Sequence, residues 1–247
     1  MALTVHELPS KINVQTGTPE PVIAPAVIQR VEEIWQHESA LRGNELFNGR
    51  LFSVRDIDAN AITGWMTDYR HFVAQQRAPE LYNELKIRPL AVTGALLCDD
   101  GVTFGRRTSR ATMDADLWEL IPSGSVDDVA AGEDGLLSLA VSIQTELQEE
   151  IGFQARELLL PPTPFVVIED PYSHVIDIGM FLHVRCRASA ILERFSQVKR
   201  PEHTALKVVA IDAIPDFRRA QSKSLAEVSA AMLDVLIPRL LSREQSS

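Results

Sequence analysis

The sequence lacks the features that mark several large classes of protein. Its only two cysteines, Cys98 and Cys186, stand far apart in apolar stretches, so it has neither a disulfide framework nor a CxxC zinc motif. No apolar run approaches the ~20 residues needed to cross a bilayer, and no basic segment followed by an apolar one opens the chain. We therefore expect a cytoplasmic protein with reduced thiols and no membrane partner.

An excess of basic residues is also missing. The chain has 24 lysines and arginines against 34 aspartates and glutamates, which gives a formal net charge of −10. A protein that binds the phosphate backbone of nucleic acid needs a basic surface to release counterions, so no nucleic-acid partner is expected. A small anionic ligand stays open, because bound cations can invert the local field.

The chain divides by pattern near Arg88-Pro89. Before it, Pro25 opens a helical repeat that runs to about residue 40, two extended stretches cover 50–56 and 60–65, and a short helix covers 68–76. Residues 3–16 alternate loosely, as one or two short strands do. We predict a small N-terminal α/β extension over residues 1–87 and a larger domain over 88–247.

The larger domain has the pattern of a mixed sheet with helices. Residues 90–98 form an apolar strand, Asp99-Asp100-Gly101 a hairpin turn, and 102–106 the partner strand. Further strands are predicted at 118–121, 165–168, 175–187 and 206–211. Helices are predicted at 136–151, stopped by Gly152, and at 224–241. The fold class is therefore α/β.

The predicted helix over 136–151 carries three carboxylates on one face. Glu146, Glu149 and Glu150 stand at i, i+3 and i+4, beside an apolar stripe that should face the core. Like charges at this spacing repel each other, and a cation would turn that cost into a binding site. Hard oxygen ligands favour Mg²⁺ or Mn²⁺. The alternative is an ordinary solvated glutamate face.

The surroundings of the three glutamates resemble the Nudix box, G-x5-E-x7-R-E-U-x-E-E-x-G-U, where U is a large apolar residue. Pro122-Ser123-Gly124-Ser125 precedes the helix, and Gly152-Phe153 follows its last carboxylate. The resemblance covers roughly residues 88–215. It implies a Nudix-type α/β/α sandwich in which Glu146, Glu149, Glu150 and the Ser123 carbonyl hold metal, with Glu149 and Glu150 also catalytic.

Two positions depart from that pattern. Thr145 stands where the box has arginine, and the interval from Gly124 to Thr145 is 21 positions (145 − 124) against 14 in the pattern, so about seven residues are inserted. Glu133 is the counterpart of the isolated box glutamate and is displaced. These departures affect residues that support the ligands rather than the ligands themselves, and such losses typically cost ~10–100-fold in affinity or activity.

Other candidate residues flank the box. The resemblance also implies a further acid from a loop beyond the box, as a metal ligand or as the base for the attacking water. Glu202, in the loop before the last predicted strand, is the preferred candidate, with Asp177 and Glu169 as alternatives. His203 is a candidate substrate contact. Three arginines place cations before the box, where a diphosphate needs charge-assisted hydrogen bonds. These are Arg106, Arg107 and Arg110.

The N-terminal extension carries a second resemblance. Ile34-Trp35, Leu46-Phe47-Asn48-Gly49 and the segment from Thr67 to Phe72 are similar to the region before the domain in UDP-glucose/UDP-galactose-hydrolysing Nudix proteins. That subgroup also has a diverged box. The resemblance implies that Tyr69 and Arg70 contact substrate, with a packing and ion-pairing role at the domain junction as the alternative.

Together these features predict a Mg²⁺- or Mn²⁺-dependent pyrophosphohydrolase. Its substrate would be a nucleoside diphosphate linked to another moiety, with a UDP-sugar as the leading candidate. The expected partner is this small nucleotide substrate, and a homodimer is an open alternative to a monomer. The rival hypothesis is a catalytically inactive Nudix-fold module that binds a nucleotide or a protein; Thr145 and the insertion favour it.

Overall fold

A computed structural model of the chain describes residues 2–6, 8, 12–43, 46–132, 134–199 and 201–244. Within these ranges twelve strands are present, in the order β1 Thr4–His6, β2 Asn13–Gln15, β3 Arg50–Ile57, β4 Ala61–Asp68, β5 Leu90–Cys98, β6 Gly101–Arg107, β7 Trp118–Leu120, β8 Ser123–Ser125, β9 Leu136–Leu137, β10 Thr163–Glu169, β11 Ile176–His183 and β12 His203–Val209.

Seven α-helices accompany the strands in the same ranges. They are α1 Pro25–Arg42, α2 Tyr69–Arg77, α3 Tyr82–Leu85, α4 Leu139–Glu146, α5 Ala188–Phe195, α6 Ile214–Ala220 and α7 Glu227–Glu244. A π-helical turn, Leu147–Ile151, continues α4, and short 3₁₀ turns lie at Pro79–Leu81, Asp128–Ala130, Ala155–Glu157 and Ile211–Ala213. No helix in the described ranges is both long enough and apolar enough to span a membrane.

The larger sheet has eight strands and is mixed. Its main path runs β1-β10-β11-β5-β6-β12, with β7 added to β6 and β8 added to β5. Only β11 and β5 pair in parallel, and the other neighbours are antiparallel. The short strands β7 and β8 place Glu119 and Gly124 beside the centre of the sheet.

Both faces of the larger sheet are covered. Alternate residues of β5 point to opposite sides, so Val92 and Leu96 pack with Ile143 of α4, while Ala95 and Leu97 pack with residues of α7. A strand buried on both faces must be apolar throughout, as the run from Leu90 to Cys98 is. The α/β class with a mixed sheet between helices is therefore confirmed.

The second sheet has the order β3-β4-β2-β9 and joins distant parts of the chain. Its last strand, β9, comes from the inserted segment between Gly124 and Thr145 and pairs with β2 near the N-terminus. In addition, β1 joins the larger sheet through β10. The boundary at residue 87 stays a prediction, and these two pairings cross it.

The carboxylate helix differs from its prediction. Residues 136–137 form β9 instead of the first helical turn, and α4 begins only after Ser138, whose side chain accepts a hydrogen bond from Val141 N–H. Beyond Glu146 the backbone widens into the π turn, where Gly152 N–H reaches the Leu147 carbonyl at 3.1 Å. The prediction that Glu146, Glu149 and Glu150 share one face of a regular α-helix is therefore wrong, because the last two lie in the π turn. Gly152 ends the helix at φ 87°, as expected.

Other element boundaries shift by a few residues, and three helices, α3, α5 and α6, lay in segments that the sequence left without structure. The predicted strand over 175–187 ends at His183, because the chain turns into α5, whose first amide, at Ala188, is capped by the Asp100 carboxylate at 2.7 Å. The N-terminal helix begins at Pro25 as predicted and extends to Arg42.

Replacing Gly101 by alanine tests the tip of the β5–β6 hairpin. Gly101 has φ 141°, and a Cβ there would overlap the Val209 carbonyl and lie 2.9 Å from Ala210 Cα. Gly43 also has positive φ (59°), but a Cβ there would meet nothing within 4 Å. We expect Gly43→Ala to lower the free energy of unfolding by ~1–2 kcal/mol and Gly101→Ala by about 1–3 kcal/mol more. Equal losses in urea denaturation would show that the hairpin tip is not tightly packed.

Candidate active site

The site is built around Gly124, which lies in β8 directly under the Glu146 carboxylate. A Cβ on Gly124 would overlap Oε1 and Cδ of Glu146 and lie 2.8 Å from its Cγ. The φ of Gly124 is ordinary, so the glycine is required by space rather than by backbone conformation. The Glu146 carboxylate can lie against the sheet, largely buried, only because this position has no side chain.

Glu150 lies deeper than Glu146. The residue is 4% exposed, and its Oε1 accepts a hydrogen bond from the Ser123 backbone N–H at 3.3 Å. Its Oε2 is buried and has no hydrogen-bond partner among the described residues. A buried carboxylate oxygen without a partner is costly, so Glu150 must either hold a proton or face a cation.

The electrostatic environment of both carboxylates is negative. Burial raises the pKa of Glu146 to about 8, with contributions from the charges of Glu202, Glu149 and Asp127. Burial also raises the pKa of Glu150 well above its usual value; the charges of Glu146, Glu202 and Glu119 add to this, and the Ser123 N–H opposes it. Strongly perturbed carboxyl groups in one cleft are typical of functional sites.

Glu202 is brought to this cluster, as predicted, although its role is untested. It is exposed in the loop before β12, and its backbone carbonyl accepts a hydrogen bond from Thr108 N–H at 3.1 Å. Its charge contributes to the raised pKa values of Glu146 and Glu150. The loop therefore carries an exposed carboxylate to the open side of two buried ones.

Glu149 differs from Glu146 and Glu150 in that its side chain is exposed. It lines an open groove of about 880 Å³ together with Gly152, Arg194 and Lys199. Thr145, at the position of the box arginine, uses its hydroxyl to donate to the Val141 carbonyl at 3.1 Å. That bond stays within α4, and the neutral threonine brings no positive charge to the carboxylates, as an arginine would. Glu133 lies outside the described residues.

A buried network that the sequence did not predict lies on the other side of Glu150. His203, 1% exposed, lies 2.7 Å from Glu119 Oε1 through Nε2 and 3.8 Å from Glu150 Oε2 through Nδ1. Arg107 donates from Nη1 to the same Glu119 oxygen at 2.7 Å. The one available signal was a charged residue, Glu119, between the apolar Trp118 and Leu120 of a short strand.

The three candidate arginines do not share one surface. Arg107 faces the carboxylates, and the nearby Glu119, Glu202 and Glu150 charges raise its pKa against the effect of burial. Arg106, which precedes Arg107 in β6, points to the opposite face of the sheet. It is exposed and donates from Nε to the Asp116 carbonyl at 3.2 Å. Arg110 is exposed in the loop that follows β6.

Tyr69 and Arg70 lie in the first turn of α2. The Tyr69 hydroxyl donates to Thr112 Oγ1 at 3.4 Å, in the loop between β6 and β7. Arg70 is ion-paired with Glu32 and Asp68, each at 3.3 Å. These contacts hold the N-terminal helices together and support the loop; the substrate role of both residues stays a prediction.

The two alternative acids occupy different settings. Asp177 accepts a hydrogen bond from Thr93 Oγ1 at 2.9 Å, has a buried Oδ1 with no hydrogen-bond partner in the described chain, and burial raises its pKa to about 7. Glu169 is ion-paired with Arg88 at 2.7 Å. Asp177 therefore resembles the buried glutamates, whereas Glu169 has a cation of its own.

The fit of a divalent metal depends on Glu146 and Glu150. In the described ranges no group of three or more histidine, cysteine, aspartate or glutamate side chains is arranged so that it could hold a metal ion. The donor chemistry nevertheless fits, because the charges of neighbouring glutamates raise the pKa of both carboxylates and Glu150 Oε2 has no hydrogen-bond partner in the described chain. Glu149 and the Ser123 carbonyl stay predicted ligands.

Neither a family model nor a curated protein matches the sequence. Solved structures do match, and several are described as MutT or Nudix proteins. The Deinococcus radiodurans protein DR0079 is 12% identical, with 77% of this chain and 98% of that chain covered and a TM-score of 0.48. A mutT/nudix family protein from Listeria innocua is 15% identical, with coverages of 64% and 98% and a TM-score of 0.46.

The NUDIX domain of Shewanella oneidensis NrtR, solved with ADP ribose, is 16% identical over 66% of this chain and 98% of that chain, with a TM-score of 0.42. All three TM-scores lie below 0.5. No residue role or substrate is therefore carried over from these proteins, and the chemistry has to be judged from the side chains of this chain.

The raised carboxylate pKa values predict how stability depends on pH. A group whose pKa is higher in the folded than in the unfolded protein contributes to the stability of the fold. This contribution is fully present below the unfolded-state pKa and is lost as pH rises through the folded-state pKa. For Glu146 the window runs from its ordinary 4.5 to about 8; Asp177, at about 7, acts in the same direction. We expect urea denaturation of metal-free protein to show a loss of about 2–4 kcal/mol between pH 5.5 and 8.5.

Glu146→Gln should reduce that loss, because glutamine has no charge to desolvate. Glu33→Gln, on an exposed turn of α1, removes the same charge and should leave the loss unchanged. A stability that stays flat or rises over this pH window in the wild type would contradict the assignment of a buried, unpaired Glu146.

Gly124→Ala tests the contact that places Glu146. The added Cβ must displace the glutamate toward solvent, where its pKa returns toward the ordinary value. We expect a folded variant whose stability depends less on pH between 5.5 and 8.5 than that of the wild type. Gly49→Ala is the matched control, since its nearest atoms would be Phe47 ring carbons at 3.5 Å. An unchanged pH dependence in Gly124→Ala would show that Glu146 does not lie over this glycine.

Proposed function

We propose that this protein is a divalent-metal-dependent hydrolase that cleaves the pyrophosphate bond of a nucleoside diphosphate linked to another moiety. The observation that carries the proposal is the Glu146–Glu150 pair. Two carboxylates are held in a largely buried position, one of them with an oxygen that has no hydrogen-bond partner in the described chain, and the charge of a third glutamate, Glu202, raises the pKa of both. Such a site gains stability when a cation enters.

Glu146 and Glu150 would hold Mg²⁺ or Mn²⁺, with the Ser123 carbonyl and Glu149 as additional ligands. When bound, the ion would lower the pKa of a water molecule that it coordinates and would neutralise charge on the departing oxygen. Gly124 and the Ser123 N–H keep the two buried carboxylates against the sheet. The backbone of β8 thus positions both carboxylates before any substrate binds.

Glu202 would act as the general base. It is exposed, so it can reach a water at the open side of the cluster, and it lies close enough to influence both buried glutamates. Water oxygen attacks one phosphorus, the bond from that phosphorus to the bridging oxygen breaks, and the water proton passes to Glu202. The products are two phosphate-terminated halves of the substrate.

Arg107 is the arginine we propose for the diphosphate, because it alone of the three candidates is shown facing the carboxylates. Its Nε is buried without a hydrogen-bond partner in the described structure. Arg106 points away from this face, and Arg110 lies beyond the end of the strand. Charge-assisted bonds from a guanidinium suit the non-bridging oxygens of a diphosphate.

The substrate we propose within this class is a UDP-sugar. It rests on the resemblance of the segments around Trp35, Phe47 and Tyr69 to the UDP-sugar-hydrolysing subgroup. Tyr69 and Arg70 would then contact the substrate from the side of the N-terminal extension. Tyr69 also supports the loop between β6 and β7 through its hydrogen bond to Thr112.

The alternative is a module of the same fold that binds a nucleotide or a protein without turnover. One observation favours it: the Thr145 hydroxyl is used within α4, and no cation stands at the position of the box arginine. Turnover separates the two functions.

Hydrolysis of UDP-glucose, ADP-ribose and a coenzyme A derivative should be assayed with and without Mg²⁺ or Mn²⁺. We expect metal-dependent turnover of at least one, and a loss of about 100-fold or more in kcat/KM for Glu150→Gln, because a neutral amide cannot replace a charged ligand. Glu33→Gln should behave as the wild type. Tight nucleotide binding without turnover would favour the module, whereas full activity of Glu150→Gln would remove this cluster from the mechanism.

A further inference from the structure

His203 is a buried side chain that contacts two carboxylates of different elements. Its residue is 1% exposed, Glu119 is 7% exposed and Glu150 is 4% exposed. Nε2 lies 2.7 Å from Glu119 Oε1, a hydrogen-bond distance, while Nδ1 lies 3.8 Å from Glu150 Oε2. Neither Nδ1 nor Oε2 has a hydrogen-bond partner among the described residues, and the distance between them is too long for a hydrogen bond.

The sheet register places the imidazole there. Along β6, His203 of β12 pairs with Arg107, and Glu119 of β7 pairs with Gly105, two residues earlier on the same face. Gly105 has no side chain, and a Cβ there would lie 2.5 Å from His203 Cδ2. The ring therefore occupies the space that Gly105 leaves free in the centre of three strands.

The orientation of the ring is fixed from the side away from Glu150. Nε2 forms a hydrogen bond with Glu119 Oε1, and the same oxygen accepts from Arg107 Nη1 at 2.7 Å, so the guanidinium compensates the charge of Glu119. Rotating the imidazole would break this bond in a buried, water-poor position, which is costly. Nδ1 is consequently held toward Glu150.

Glu150 is confined between two groups. The Ser123 N–H contacts Oε1 on one side, and the His203 ring closes the space next to Oε2 on the other. The π turn that carries Glu150 does not by itself determine the direction of its side chain, since three rotatable bonds separate carboxylate from backbone. The ring restricts these rotations without making a direct hydrogen bond.

We propose that His203 is a positioning residue that keeps the Glu150 carboxylate in place beside the Ser123 N–H, with Glu119 and Arg107 fixing the imidazole. The inference deepens the proposed function, on which it rests, because Glu150 is there a metal-holding residue. Glu150 loses its preset direction when the ring is removed, even if the strands around it are intact.

The decisive variants are His203→Gln and His203→Asn. The glutamine amide can stand near the place of Nε2 and keep the bond to Glu119, but it leaves open the space beside Glu150. The asparagine amide stands near the place of Nδ1 and keeps a group facing Glu150. His174→Asn is the control, because it removes a half-buried imidazole stacked on Tyr82, and asparagine tolerates its φ of 62°.

Two measurements are made on each metal-free variant: a crystal structure and calorimetric titration with Mn²⁺. For His203→Gln we expect the Glu150 carboxylate to leave the Ser123 N–H and Mn²⁺ affinity to fall about 10–100-fold, with the thermal midpoint close to that of the wild type. His203→Asn should retain more of the Mn²⁺ affinity than His203→Gln, and His174→Asn should keep all of it.

A folded His203→Gln protein with Glu150 still at Ser123 and unchanged Mn²⁺ affinity would overturn the inference. If that variant does not fold, the same result in His203→Asn, with wild-type affinity and Glu150 unmoved after the Glu119 bond is lost, would overturn the role of Glu119. If the wild type binds no Mn²⁺, the proposed function fails, and the position of Glu150 in the variant structures still decides whether His203 positions it.

Discussion

The structure of the site depends on the close approach of α4 and its π turn to strand β8. The absence of a side chain at Gly124 lets Glu146 lie on the sheet, and the Ser123 N–H holds Glu150 one turn later. Both carboxylates lose solvation by this approach, which raises their pKa values. Without it the helix would carry ordinary surface glutamates.

Burial on both sides of the larger sheet supports this approach. The face toward α4 packs Ile143 and Leu147 against β5 and its neighbours, while the other face packs against α7. Burying these apolar side chains stabilises the fold by roughly 1.5–3 kcal/mol each, which offsets the cost of desolvating two carboxylates nearby. The core around the site thus keeps the two carboxylates in their buried positions.

Local pattern predicted part of the site. The spacing along the chain placed Glu146 and Glu150 on one helix at the edge of its apolar stripe, whereas the resemblance to the Nudix box singled out Gly124 and the loop that carries Glu202. The direction of Glu149, the opposite faces of Arg106 and Arg107, and the Glu119–His203 pair were not predicted in this way. They depend on strand register and on the π turn, which local periodicity does not specify.

The sequence by itself determined which segments are apolar on both faces, where Gly101 and Gly152 turn the chain, and which carboxylates share a helix. These are properties of neighbours along the chain, governed by steric limits and side-chain period. Only the tertiary structure decided that Glu150 meets His203, since β12 must first pair with β6 in one register. It likewise decided that the inserted segment pairs with β2. Contacts between distant segments arise from the packing of whole elements, so no local pattern contains them.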